Sequence, residues 1–371
     1  MKIGILTFFN VPNYGAMLQA YALWHFLEKR GHQVEFIRYD FGNTWRPRFW
    51  KCFYSRHFSS LQRKLRFWAQ FPMARFSDDY PQTQLFSSLE ELRAGCGDFD
   101  AVVVGSDQMW NPNGVARGAN PVVFLDFLPP HTKRISYAAS FACPEWGEDA
   151  KEEVGALLRK FTAISVRERS GVSIVADVSG MSAQCLPDPT LLFPARFYDR
   201  IASKRNDSGE KYIFSYFLDE WQDGSVEQSF LGKCRDSLGI DRVVTARKKM
   251  RGLGGFLLSS FGVSGRIPVP RWVASIRDAS FVVTNSFHGT VFALIFHKPF
   301  ATVLLSGKMA GMNERIVSLL QSVGLEDRML AFDESETIDL ISSRKIDWEK
   351  VDSRFEKNGK MVDDFFISCG L

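Results

Sequence analysis

The chain has 371 residues, which is enough for two domains that each have a hydrophobic core. Its apolar fraction of 45% and its charged fraction of 24% are those of a globular protein and exclude disordered and collagen-like chains. The formal net charge of +4 is mild and does not by itself indicate a nucleic-acid partner.

The first elements that the sequence predicts are a strand, a helix and a second strand. A buried-type strand covers Lys2–Phe8, and Asn10 and Pro12 end its apolar run too early for a signal peptide. A helix follows over Ala16–Arg30 with its apolar residues on one face, and Gln33–Tyr39 forms the next strand. No apolar run reaches the roughly 18 residues of a membrane span. These features predict a cytoplasmic protein that begins with a βα unit.

The segment 45–77 differs in composition from the rest of the chain. It contains eight basic and ten aromatic residues and no acidic residue. Such a mixture is typical of a membrane interface, where cations meet anionic lipids and aromatic rings lie at headgroup level. The alternative is an irregular insertion whose rings pack on the protein and whose cations are solvated. Peripheral attachment to the inner face of an anionic membrane is therefore one prediction, and we expect no nucleic-acid partner.

The later part of the chain predicts two α/β domains with parallel sheets. Helical patterns, such as those over 225–238 and 315–323, alternate with strands, which is typical of parallel sheets covered on both faces. Turn-forming residues between 194 and 209 predict a boundary, with an N-terminal domain over 1–195 and a C-terminal domain over 205–371. The later predicted strands are Ala101–Val104, Arg134–Ala138, Ala163–Val166, Tyr212–Tyr216, Arg242–Thr245 and Phe281–Thr284.

Four predicted strands lead into polar loops, at 10–15, 105–112, 167–171 and 285–290. Ligands of open parallel sheets bind outside the carboxyl ends of the strands, so we expect these loops to converge on one site. The candidate catalytic residues in them are Asp107, Arg167 and His288. The candidate substrate-binding residues in them are Asn13, Tyr14, Ser106, Gln108, Asn285, Ser286, Gly289 and Thr290.

His288 is the strongest of these candidates. It precedes a predicted helix of small residues, where Gly289 permits a close approach and Thr290 can cap the helix start. Helix starts bind anions, and a histidine beside one can act as an acid or base near neutral pH. A hydrogen-bonded core histidine is the alternative interpretation.

The other two candidate catalytic residues also have plain structural interpretations. Asp107 follows a Gly-Ser pair and is a common type of turn residue. Arg167 has Glu168 and Asp188 as candidate ion-pair partners at the surface.

Nucleotide-binding glycine motifs, zinc-peptidase and serine-hydrolase motifs are absent, and the six cysteines form no C-x-x-C pair. We therefore predict neither a metal site nor a bound cofactor.

Several stretches together resemble the polysaccharide pyruvyl transferase family. The GSDQMWNP and TNSFHGT motifs, at 105–112 and 284–290, are the most specific of them. The full set is KIGILTFFNVPNYGAMLQAY, DAVVVGSDQMWNP, FLDFLPPHTKRISYAASF, ISVRERSG, LPDPTLL and FVVTNSFHGTVFALIFHKPF. The resemblance extends with gaps from residue 1 to about 330, and it does not cover 45–77 or much of 196–270.

The resemblance implies a GT-B-like fold in which two Rossmann-like domains form a cleft, with phosphoenolpyruvate as donor substrate. The family's functional histidine then falls on His288, its donor-binding arginine on Arg167 and an acidic residue on Asp107. The implied reaction moves a pyruvyl group onto two hydroxyls of a sugar as a ketal, in surface polysaccharide or glycolipid synthesis. Arg315 is a further candidate cation for the donor, because phosphoenolpyruvate carries both a phosphate and a carboxylate.

Two other functions remain open at this point. The first is a GT-B glycosyltransferase that uses the helix start near His288 for the diphosphate of a nucleotide sugar. The second is a non-catalytic protein that binds a glycan intermediate. The sequence does not identify the acceptor sugar. It also does not identify whether that sugar is carried by a lipid, by a nucleotide or in a finished polymer.

Overall fold

The structure, a computed structural model, describes residues 1–41, 73, 75–204, 209–218, 224–247, 267–331 and 337–371. Most of the basic and aromatic segment 45–77 lies outside these residues, so its predicted membrane contact stays a prediction. Within the described ranges, no helix has both the length and the apolar character needed to cross a membrane.

Seven parallel strands form the first sheet within the described ranges, in the order β3-β2-β1-β4-β5-β6-β7. The order reverses between β1 and β4, where Ile3 pairs with Val34 on one side and with Ala101 on the other. Such a switch point opens a crevice at the carboxyl ends of the two strands. The strands are β1 (Lys2–Leu6), β2 (Gln33–Tyr39), β3 (Gln82–Phe86), β4 (Ala101–Val104), β5 (Lys133–Ala139), β6 (Ala163–Val166) and β7 (Gln184–Cys185).

In the second sheet, the described residues form five parallel strands in the order β12-β11-β10-β8-β9. Its order reverses between β8 and β10, so the loop after β10 also begins at a switch point. The strands are β8 (Ile213–Phe217), β9 (Val243–Arg247), β10 (Phe281–Thr284), β11 (Phe300–Val303) and β12 (Met329–Leu330).

Helices connect the strands and cover the sheets, as parallel pairing requires. The first domain contains α1 (Tyr14–Glu28), α2 (Leu89–Gly95), α3 (Lys151–Leu158) and α4 (Arg169–Ser179), and α5 (Ala195–Asp199) lies in the connection. The later helices are α6 (Gly224–Leu238), α7 (Val269–Arg277), α8 (Phe287–Ile295), α9 (Glu314–Val323), α10 (Thr337–Ser343) and α11 (Trp348–Ser368). The predicted α/β class with two parallel sheets is confirmed.

The last helix, α11, returns to the first domain. Phe366 on this helix is fully buried and packs against Phe26 and Tyr137, with ring centroids 5.2 and 5.1 Å apart. Beyond the helix, the Cys369 carbonyl accepts a hydrogen bond of 2.8 Å from Lys133 Nζ. The range 205–371 therefore contributes a complete sheet to the second domain and a helix to the core of the first.

The two domains also share a core around Tyr14, the first residue of α1. Its ring stacks on Trp272 of the second domain, with centroids 4.9 Å apart and planes at 11°. Its hydroxyl donates to the Ile267 carbonyl at 2.8 Å and accepts from the Ile267 amide at 3.0 Å. The start of α1 is thus fixed against the second domain.

Candidate active site

Loops from both domains meet at one buried carboxylate, Asp188. Its Oδ2 lies 2.7 Å from Ser106 Oγ, 2.9 Å from Arg167 Nη1 and 3.3 Å from His288 Nε2. These three residues follow β4, β6 and β10, which confirms that the carboxyl ends of the two sheets converge. Asp188 is 1% exposed, so its charge is compensated by these neighbours rather than by water.

The turn that follows Asp188 fixes the orientation of its carboxylate. Oδ1 accepts hydrogen bonds from the Thr190 amide at 3.0 Å and from the Thr190 hydroxyl at 2.6 Å. Burial acts to raise the pKa of Asp188, but His288 and Arg167 stabilise the anion, and the pKa lies well below its ordinary value. Asp188 is therefore an ionised, fully hydrogen-bonded centre of the site.

Arg167 makes a buried ion pair with Asp188, whereas the structural interpretation of Arg167 from the sequence placed such a pair at the surface. Its Nη1 donates to Asp188 and, at 3.2 Å, to Ser106 Oγ. Its Nε and Nη2 are buried and have no hydrogen-bond partner among the described residues. Leaving a buried donor unpaired costs about 1–3 kcal/mol, so this pair of donors indicates a place for a ligand. Two adjacent guanidinium donors match a carboxylate or phosphate.

Arg315, at the start of α9, is the second buried cation of the site, at 5% exposure. Burial lowers its pKa to about 10, and the positive charge of Arg167 adds to this effect. The ring of Phe287 lies near both guanidinium groups, 4.4 Å from that of Arg167 and 6.0 Å from that of Arg315. Two buried cations that repel each other are stabilised by an anion bound beside them.

Gln108 connects Arg315 to the loop after β4. In the amide orientation that suits both side chains, the Gln108 oxygen accepts from Arg315 Nη1 at 3.0 Å and Nη2 at 3.2 Å. The neighbouring Asp107 is 8% exposed and has a positive φ of 88°. Its Oδ1 accepts from the Gln108 amide at 2.9 Å, so the turn-capping interpretation of Asp107 holds at the edge of the site.

His288 lies in the first turn of α8 and packs directly against Gly15 in the first turn of α1. A Cβ atom on Gly15 would lie 1.9 Å from His288 Nδ1, so only glycine leaves room for the imidazole in this position. His288 Nε2 is buried and makes no well-aligned hydrogen bond within the described part of the chain, although Asp188 Oδ2 lies 3.3 Å away. The histidine therefore faces a carboxylate of the other domain and is not a fully satisfied core residue.

Some predicted binding residues shape the loops through internal hydrogen bonds. The Asn13 side chain caps α1 by accepting from the Gly15 amide at 3.0 Å, and Ser286 caps α8 by accepting from the Gly289 amide at 3.4 Å. Asn285 bonds to both backbone groups of Leu218, at 2.6 and 3.3 Å.

The remaining predicted residues pack away from the buried cations. The hydroxyl of Thr290 bonds to Thr302 Oγ1 at 2.9 Å, and Tyr14 is part of the shared core. The close approach of Gly289 is to the strand before it, because a Cβ there would lie 2.4 Å from Thr284 Oγ1. The structure therefore brings together Ser106, Gln108, Arg167, His288 and Arg315, with Asp107 at the edge.

Asp188 and Gly15 are the important residues that the sequence analysis did not select. Both lie in stretches that carry the family resemblance, LPDPTLL and NVPNYG, and Asp188 was also named as a candidate ion-pair partner of Arg167. Among the residues that the structure describes, no group of three or more histidine, cysteine, aspartate or glutamate side chains is arranged to hold a metal.

Comparison with known proteins agrees with this architecture. A putative UDP-N-acetylglucosamine 2-epimerase from Listeria monocytogenes is similar over 97% of this chain and 90% of its own, with 10% identity and a TM-score of 0.52. An α-glucosyltransferase solved with UDP and a 13-mer DNA matches over 97% and 94%, with 9% identity and a TM-score of 0.49. The similarity to the epimerase shows the fold alone and supports the predicted GT-B-like arrangement.

No curated protein matches the sequence significantly. The family model of the polysaccharide pyruvyl transferases does match, over residues 13–306. This range includes all the residues gathered around Asp188 except Arg315. The chain therefore belongs to the polysaccharide pyruvyl transferase family, which is a family of enzymes.

Proposed function

We propose that this protein transfers the pyruvyl group of phosphoenolpyruvate to two hydroxyls of a sugar and releases phosphate. The observation that carries the proposal is the pair of buried arginines beside His288 at the junction of the domains, where Nε and Nη2 of Arg167 have no partner among the described residues. Phosphoenolpyruvate has two anionic groups, and two separate guanidinium groups match that charge distribution. No bound cofactor takes part in this scheme.

The proposed reaction begins with a proton that joins the methylene carbon of the donor, which leaves a cationic centre at C2. The first sugar hydroxyl forms a C–O bond there, the bond from C2 to the phosphate oxygen breaks, and the second hydroxyl closes the ketal. Two hydroxyl protons are released. One balances the proton gained by the methyl group and the other leaves with phosphate.

His288 is the group that we assign to proton transfer, because it lies beside Arg167 and Asp188 and imidazoles are common general acids and bases. Asp188 stabilises a protonated His288 and orients Arg167 by occupying its Nη1. Asp107, at the edge of the site, is assigned to orienting the acceptor hydroxyl. Arg167 and Arg315 hold the donor and stabilise the negative charge that develops on the departing phosphate.

Calorimetric titration with phosphoenolpyruvate and with UDP separates this function from the glycosyltransferase alternative. Binding of phosphoenolpyruvate with no competition from UDP is the expected result. Binding of UDP with no binding of phosphoenolpyruvate would assign the site to a nucleotide sugar.

Arg167→Lys should weaken donor binding roughly 10- to 100-fold, because lysine keeps the charge but loses the paired donors. Arg277→Lys is the matched control, since Arg277 pairs with Asp199 and Asp278 instead.

Turnover in D₂O with a glycan acceptor tests the chemistry itself. The ketal product should carry one deuterium in its methyl group, because that hydrogen comes from exchangeable protons, and phosphate should appear in equal amount.

His288→Gln should retain donor binding and lose turnover by about 10²–10⁴-fold. A variant that turns over normally would exclude His288 as the acid or base. Donor binding without turnover on any glycan would favour the non-catalytic alternative.

A further inference from the structure

Glu168 is a buried carboxylate of the site to which the proposed reaction gives no role. It follows Arg167 in the sequence, directly precedes α4 and is 0% exposed. Burying an ionised carboxylate is costly unless the surrounding groups compensate its charge. The groups around Glu168 therefore indicate what its charge does.

One oxygen of Glu168 holds the loop that follows β5. Oε1 accepts hydrogen bonds from the Phe141 amide at 2.7 Å, the Ala142 amide at 3.0 Å and the Ser140 hydroxyl at 3.1 Å. Three donors meet this oxygen, which suits an ionised carboxylate. Ala142 has a φ of 55°, in the left-handed region that non-glycine residues rarely occupy. Glu168 thus fixes a loop conformation that the chain would not readily adopt alone.

The same loop continues to Pro144 and lies against the second domain beside Arg315. A Cβ atom on Gly311 would lie 3.6 Å from Pro144 Cδ. The next residue, Met312, accepts a hydrogen bond from Arg315 Nε at 3.3 Å through its carbonyl. Helix α4, which Glu168 precedes, also contacts α9, which carries Arg315. Glu168 and Arg315 therefore approach each other from opposite domains.

Glu168 is the carboxylate that acts most strongly on Arg315. Burial and the neighbouring Arg167 lower the pKa of Arg315. Three carboxylates oppose this shift, and the effect of Glu168 is the largest of them. Its Oε2 is buried and has no hydrogen-bond partner in the described part of the chain, so hydrogen bonds compensate its charge only in part. Each of the two buried arginines thus has a buried carboxylate near it, because Asp188 pairs with Arg167.

The balance of charge matters because the proposed product is itself an anion. Phosphate is attracted by the same guanidinium groups that bind the donor, so a site with only cations would hold its product. A fixed negative charge several Å away weakens the attraction for every anion by about tenfold.

We propose that Glu168 is the counter-charge of Arg315 and that it limits how tightly the site holds anions, so that phosphate can leave. The inference rests on the proposed function and adds to it a carboxylate that acts on product release through Arg315.

Calorimetric titration of the full chain with inorganic phosphate and with phosphoenolpyruvate tests this role. Glu168→Gln keeps an oxygen for the loop amides and removes the charge, so both anions should bind about tenfold more tightly than they bind the native protein. Exchange measured by ³¹P NMR should show a slower release of phosphate, because such affinity changes lie mainly in the dissociation rate. A purely structural role would weaken binding or leave it unchanged. Either result, or an unchanged release rate, would overturn the proposal.

Two control variants separate the charge of Glu168 from other effects. Glu168→Asp keeps the charge and shortens the side chain, so it should bind neither anion more tightly. Glu91→Gln is the matched control, because Glu91 also accepts from a backbone amide, that of Ser87 at 2.6 Å, and the net charge changes equally. It should leave the binding of both anions unchanged. Tighter binding in either control would mean that the charge at position 168 is not the cause.

The stability of Glu168→Gln gives a second readout. The variant has one more uncompensated buried cation, so phosphate should raise its melting temperature more than that of the native protein. If the variant does not fold alone, an excess of phosphate should restore the fold. No additional stabilisation by phosphate would contradict the proposed role.

The native protein separates this proposal from the proposed function. If it binds UDP and not phosphoenolpyruvate, the proposed function fails, and the effect of Glu168→Gln is then measured on UDP. If it binds phosphoenolpyruvate and Glu168→Gln does not bind it more tightly, the role of Glu168 fails and the proposed function stands. A native protein that binds none of these anions would refute both.

Discussion

Asp188 shows how one carboxylate can organise side chains from two domains. It accepts a hydrogen bond from one terminal nitrogen of Arg167, and Nε and Nη2 find no partner in the part of the chain that the structure describes. It also lies beside Nε2 of His288, which belongs to the other domain. Its negative charge offsets part of the positive charge that the site gathers, and this allows two arginines and a histidine to be buried together.

We expect Asp188→Asn to lower the free energy of unfolding by about 3–5 kcal/mol, because it leaves Arg167 without its buried counter-charge. The amide keeps nearly the same shape, so the loss reports on charge. Turnover should fall more than donor affinity, because the imidazole would lose the anion that stabilises its protonated form. Urea unfolding and separate measurement of kcat and KM check the two effects.

The pH dependence of the stability difference between the native protein and Asp188→Asn gives an independent check. The pKa of Asp188 is lowered by folding, so its carboxylate contributes stability above the ordinary value of 3.8 and loses it as pH falls below that value. The stability gap between the native protein and Asp188→Asn should stay constant over about pH 5–8 and shrink below about pH 4. A gap that instead changed most between pH 6 and 8 would contradict the assignment of the charge to Asp188.

The decisive contact at the level of elements is between the first turns of α1 and α8. Asn13 and Ser286 cap these helices, and the capped turns place Gly15 against the ring of His288. The position of the imidazole is therefore set by a backbone in the other domain. Rigid elements of this kind are what hold a reacting group in place.

Gly15→Ala should displace the imidazole of His288 while leaving the helix intact. Alanine is favoured over glycine inside a helix by up to about 1 kcal/mol, so the change does not weaken α1 itself. A shift of about 1 Å in the imidazole can lower the rate about 100-fold, and we expect a loss of kcat of that order. The measurement is kcat beside the melting temperature.

Gly232→Ala is the control for this change, because Gly232 also lies within a helix and a Cβ there would meet no atom of the described residues within 4 Å. It should leave kcat unchanged and the melting temperature equal or higher. Full activity in Gly15→Ala would mean that the position of His288 does not depend on this contact.

The elements themselves could largely be predicted from the sequence. Strands such as Ala101–Val104 and Phe281–Thr284 are continuous apolar runs followed by polar loops, and that pattern is local. Four strands were missed. Gln82–Phe86 is largely polar, and Gln184–Cys185 and Met329–Leu330 have only two residues each. Phe300–Val303 is an interior strand of four residues and was also missed. Local patterns identify long apolar strands more readily than short or polar ones.

The site was only partly predictable because its contacts join distant parts of the chain. Ser106 and Asp188 are separated by 82 residues, and no spacing rule connects them. Arg167 and His288 could be selected from their chemistry and from the position of their loops. Tyr14 resembled a site residue, but its partner Trp272 lies in another domain, and only the tertiary structure reveals that pairing.

At the scale of the whole molecule, two contacts join the domains firmly. Tyr14 inserts into the core of the second domain, where it is 1% exposed. Helix α11 carries Phe366 back into the core of the first domain. Separate unfolding of either domain would expose apolar surface that now lies in shared cores.

We therefore expect the two sheets to unfold in one transition. Hydrogen exchange at increasing urea should expose the strands Ala101–Val104 and Phe281–Thr284 at the same concentration. Tyr14→Ala should separate the two transitions, because it removes an aromatic side chain from the shared core at a cost of about 3–5 kcal/mol. Phe161→Ala, in the core of the first domain alone, should shift both transitions together. Separate transitions in the native protein would disprove the coupling.

The return of α11 to the first domain has a consequence for biosynthesis. The ribosome delivers the seven strands of the first sheet long before it delivers Val362, Phe365 and Phe366, which cover part of that domain. During translation this apolar surface remains open while the entire second sheet is made. Completion of the N-terminal half therefore waits until α11 has been translated, after the entire second sheet, and a ribosome that stalls just before α11 would hold a nascent chain with an exposed apolar patch.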